Sequence, residues 1–162
     1  LMAASEVWRR LYEGTKLGEA AEGDLRHETR IMPVAANYQR VYWAGAAIAL
    51  RIDVELRRSS EGNVTLDRLL AELEPDGPRS LRPASAEAVL ARLDALAGSD
   101  VPGRIARAAL DDPRLPSIEA LYRELGLRAD GQPAAEPAPL AWVRDEIMPS
   151  AADPAWLPLF RR

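Results

Sequence analysis

The chain has 162 residues, 48% of them apolar and 28% charged, enough for one ordinary domain with a core of its own. Zero cysteines and a single histidine exclude disulfides, thiol catalysis and any zinc site complete within these residues. A net charge of -4 argues against a broad phosphate-binding face, so no nucleic-acid partner is expected. The pattern is helical almost throughout, and β-branched runs of period two are absent. The expected fold is therefore all-α, an irregular multi-helix bundle around a buried central helix at about residues 38–59.

Ser5 is expected to cap a first helix with Val7, Trp8, Leu11 and Tyr12 on its apolar stripe, and Gly14, Gly18 and Gly23 punctuate the stretch after it. A short helix is expected from Asp24 to Met32, ended by Pro33. The segment Tyr38 to Ser59 is the most distinctive. Its first half, VYWAGAAIAL, is apolar all round, which predicts burial on all sides. Its second half, RIDVELRR, is amphipathic, with Arg51–Glu55 and Asp53–Arg57 at i,i+4 spacing. The run from Val41 to Leu50 is too short to span a bilayer, so no membrane partner is expected.

Glu61-Gly62-Asn63 reads as a turn, after which Thr65 caps a helix bearing Leu66, Leu69, Leu70 and Leu73. The loop EPDGPRSLRP separates it from a helix capped by Ser85 and stopped by Gly98. Asp100 caps the next, through Ile105 and Leu110, and Pro113 and Pro116 break the chain. Ser117 caps a compact helix with Ile118, Leu121, Tyr122 and Leu125, ended by Gly126. Residues 1–128 are thus expected to form the helical domain. Residues 129–162 read as a Pro/Ala-rich extended linker, GQPAAEPAP, and an apolar tail with Trp142, Ile147, Trp156, Leu157 and Phe160. Such a tail is too apolar to be solvated throughout and is expected to pack back on the body.

Few residues invite chemistry. His27 precedes Glu28, but position 31 is Ile, so there is no H-E-x-x-H and the histidine reads as a surface or helix-end residue. No G-x-S-x-G, G-x-x-x-x-G-K-[ST] or G-x-G-x-x-G occurs. The carboxylates are spread over helix faces near arginines, and Arg161-Arg162 is too small to be a basic patch. Tyr42 is the more informative residue. It lies near the start of the apolar helix, three residues before Gly45, with Ala46 and Ala49 continuing a small face. Two readings fit. Tyr and Trp pack in the core against that face, or the ring packs while the phenol reaches the mouth of a cleft. Glycine at i+3 would then admit the close approach of another element.

The segment VYWAGAAIALRIDVELRRSSEGNVTLDRLLAEL resembles the region after the zinc site in the glycyl aminopeptidase family of metallopeptidases. That family's pattern there is an aromatic pair, x-x-Gly-Ala, an apolar helix, Asp-x-x-Leu-Arg, a glycine turn and Ser/Thr-Leu-Asp. This chain supplies Tyr42, Gly45, Ala46, Asp53, Leu56, Arg57, Gly62, Thr65, Leu66 and Asp67. The flanks, SEVWRRLYEGTKLGEAAEG before it and the stretch from Ser85 to Leu127 after it, are also similar, so the likeness spans about Ser5 to Leu127. Three features depart from the family. Ala44 stands where relatives often place Lys before the glycine, and the metal-binding motif and PDZ-like segment are absent from this chain.

The resemblance implies a helical region C-terminal to a zinc-bearing catalytic part. In the family a Tyr-x-x-Gly tyrosine faces the zinc-bound substrate, and Tyr42 is the matching position. As a catalytic residue it would stabilise the transition state of peptide hydrolysis. The implied partners are an upstream catalytic domain of the same polypeptide and a peptide substrate. Zinc is expected in the full-length protein and no cofactor in this chain, which alone would be inactive. A surface left bare by the missing part could pair two copies as a homodimer. The alternative class is a non-catalytic helical protein-interaction module. The absence of cysteine suits a cytoplasm and does not exclude a periplasm.

Overall fold

The computed structural model describes residues 3–19, 25, 38–73, 85–111 and 117–148. They form an all-α multi-helix bundle. In chain order the helices are α1 (Ala4–Glu19), α2 (Tyr38–Ser60), α3 (Leu66–Leu73), α4 (Ala86–Ala97), α5 (Val101–Asp111), α6 (Ile118–Glu124) and α7 (Ala141–Ile147). Among the described residues the only β pairing is an isolated bridge between Leu127 and Pro133. Of the expected helix from Asp24 to Met32, only Leu25 is described. It is helical and buried. His27 and the tail beyond Met148 lie outside the described residues.

Local signals set most helix ends. The Ser85 hydroxyl accepts from Ala88 N at 3.2 Å, and Gly98 closes α4 in the left-handed conformation at φ 63°. The Ser117 hydroxyl accepts from Glu119 N, and Thr65 Oγ1 from Arg68 N. At α5 the side chain that caps is Asp94, one helix earlier, whose Oδ1 accepts from Gly103 N at 2.7 Å. Asp100 supplies its backbone carbonyl to Arg104 N. Helix α1 starts before Ser5, its first bonds running from Glu6 N and Val7 N to the Ala3 carbonyl. It also runs straight through Gly14 and Gly18, two of the glycines expected to punctuate the stretch after it. At Gly14 the reason is tertiary: the Trp43 indole lies so close that a Cβ at position 14 would overlap the ring.

Helix α2 is the shared spine of two cores. Leu50 and Val54 join Trp8 of α1 with Ile118, Leu121, Tyr122 and Leu125 at α6, and with Leu140 and Val143 at α7. Ile52 and Leu56 turn the other way, to Leu69 of α3, Leu93 of α4 and Val101 and Ala106 of α5. Each fully buried aliphatic side chain is worth about 1.5–3 kcal/mol. The all-round burial expected for VYWAGAAIAL falls instead on the following half. There Ile52, Asp53, Val54, Leu56 and Arg57 are all buried, whereas Tyr38, Tyr42 and Gly45 are exposed. On the amphipathic half the buried Asp53 and Arg57 neutralise each other.

The segment after α6 differs from an extended linker. Arg128 N bonds to the Gln132 carbonyl, Ala134 N to Gly126 and Leu140 N to Glu124, all within 2.9 Å. Gly131, at φ 76°, presses on the Ser5 carbonyl of α1 so closely that any side chain there would overlap it. This folded loop delivers Leu140 and Val143 to the core.

Candidate functional site

Tyr42 sits one turn into α2, on the face that also carries Tyr38 four residues before it and Gly45 three residues after it. Ala44, Ala46 and Ala47, just after it, favour the helix here. Neighbouring Trp43 turns inward onto Gly14 of α1, and Tyr42 turns outward, 68% exposed. The two rings meet edge to face, with centroids 5.1 Å apart and an interplanar angle of 84°. Trp43 is therefore the packing residue of the aromatic pair, and its indole supports one side of the Tyr42 ring. Among the described residues no hydrogen bond engages the Tyr42 hydroxyl, which is presented to solvent.

Among the described residues Gly45 does not mediate a close approach. It is exposed, and a Cβ built on it would meet nothing within 4 Å. The result is an open notch one turn beyond the phenol, flanked by half-buried Ala46 and Ala49. Leu17, on α1, is also exposed.

The other residues of the family-like pattern meet in a different place and do a different job. Asp53 accepts from Arg57 Nε at 2.9 Å through one oxygen and from the Leu66 backbone N–H at 2.8 Å through the other. Arg57 extends to Glu146 of α7 at 3.1 Å and lies 3.8 Å from Asp67. Burial works against the Arg57 charge, but the bond to Asp53 and the nearby Glu146 and Asp67 outweigh it and hold the guanidinium above its ordinary range. Gly62, at φ 81°, makes the turn between α2 and α3, and Thr65 caps α3. This cluster is a joint between α2, α3 and α7. At 1.5 Å per residue it lies about 16 Å along the helix from Tyr42. Of the pattern's residues, Tyr42 and Gly45 face outward among the described residues, Tyr42 touched by Trp43 alone of the rings, and the others named here build the scaffold.

A cleft of about 220 Å³ opens elsewhere, between α2, α5 and α6, with Arg51, Glu55, Arg58 and Glu124 on its walls and Val54, Leu121 and Leu140 at its floor. Sequence reasoning does not single it out, because its charges read as ordinary helix-face pairs. Arg58 does pair with Glu55 at 2.7 Å, whereas Arg51 donates to the sequence-distant Ser117 carbonyl at 2.7 Å. Tyr42 is not part of it.

Among the described residues no group of three or more His, Cys, Asp or Glu converges to hold a metal ion, so these residues do not fit a zinc site of their own. No helix among them is long and apolar enough to cross a membrane. No protein-family model, no curated protein and no solved structure matches the chain. The likeness to glycyl aminopeptidases therefore rests on the residues quoted for it alone.

Proposed function

We propose that this chain is the helical domain that completes the substrate cleft of a glycyl-aminopeptidase-like metallopeptidase and supplies Tyr42 to it. The observation that carries this reading is the outward phenol of Tyr42 beside the open Gly45 notch, on a helix fixed by Trp43. As a nucleophile adds to a peptide carbonyl, negative charge develops on the oxygen. A phenol donates one hydrogen bond, and a donor held in place by the fold stabilises that charge without reorganising. In the family, zinc supplies the nucleophile and polarises the carbonyl. In this reading the metal is held by residues other than those described. The bare glycine leaves room for the substrate main chain to run past the phenol.

A second reading has one observation in its favour. Leu17, Tyr38 and Tyr42 are all exposed, as the contact face of a helical interaction module would be. The two separate on the hydroxyl. An interface built on aromatic area tolerates Tyr42→Phe and suffers from Tyr42→Ala. Oxyanion stabilisation fails with either. The experiment is peptidase turnover of the full-length protein and both variants on a short peptide with a free amino terminus. Loss of turnover in Tyr42→Phe supports the enzyme, and unimpaired turnover rules out the catalytic role.

A further inference from the structure

We draw no further inference here: the strongest candidate, the cleft of about 220 Å³ between α2, α5 and α6, carries nothing, because its arginines are already answered by Glu55 and the Ser117 carbonyl and nothing in the structure points to a ligand.

Discussion

Tyr42 and Trp43 are sequence neighbours with opposite surroundings, and each has a glycine near it. Gly14 lets the Trp43 ring lie against α1, where any side chain would overlap it. Gly14→Ala is therefore expected to destabilise the fold by about 1–3 kcal/mol despite alanine's better helix propensity, measured by urea unfolding. Gly45 is the opposite case. Its missing side chain would meet nothing, so Gly45→Ala is expected to stabilise the helix by about 0.5–1 kcal/mol. If the notch receives substrate, the same variant loses peptidase activity while its melting temperature rises. A stabilised variant with full activity would remove the notch from the site. Tyr122 shows what a tyrosine absorbed into the core looks like. It is 2% exposed, and its hydroxyl donates to the Trp8 carbonyl at 2.6 Å. Burial pushes its titration well above the ordinary range. A raised folded value means its contribution is intact below the unfolded value of about 10 and drains away as pH rises beyond it. Thermal melts from about pH 8 to about pH 11.5 are expected to show that alkaline loss, and Tyr122→Phe is expected to flatten it.

The elements differ in how far the sequence announces them. The caps at Ser85, Ser117 and Thr65 are readable because a capping hydroxyl bonds within two or three residues of itself. The cap on α5 is not, because Asp94 reaches across from the preceding helix. The segment after Gly126 departs from its sequence pattern for a related reason. Its proline and alanine content suggests extension, but the bonds to Gly126 and Glu124 that fold it back belong to another element. The Asp53–Arg57 spacing is legible as a helical pair, but its service to α3 and α7 is not. That service can be measured. Asp53→Ala removes the acceptor for Leu66 N–H and strips Arg57 of its closest partner, so it is expected to cost about 2–3 kcal/mol in urea unfolding. Asp53→Asn keeps one acceptor and is expected to cost less. Equal and negligible losses in the two variants would show that the joint is not stabilising.

At the scale of the whole molecule, one helix carries both the scaffold and the candidate site. The C-terminal half of α2 holds two cores together, and its N-terminal half is anchored by Trp43 and leaves Tyr42 outward. The hydrophobic pattern alone points the other way, since VYWAGAAIAL is the more apolar half. Burial is a property of what packs around a helix: VYWAGAAIAL buries one face, through Ala44, Ala47 and Leu50, whereas Ile52, Val54 and Leu56 of RIDVELRR face both cores. Among the described residues that leaves Tyr38, Tyr42 and Gly45 exposed on the N-terminal half, where the proposed reading places its tyrosine. The measurement that bears most directly on this account is the turnover number of Tyr42→Phe in the full-length protein, on a peptide with an amino-terminal glycine. The account predicts an intact fold, a small change in KM and a kcat lowered on the order of a hundredfold or more. Wild-type turnover in the variant, or no peptidase activity in the full-length wild-type protein, would contradict it.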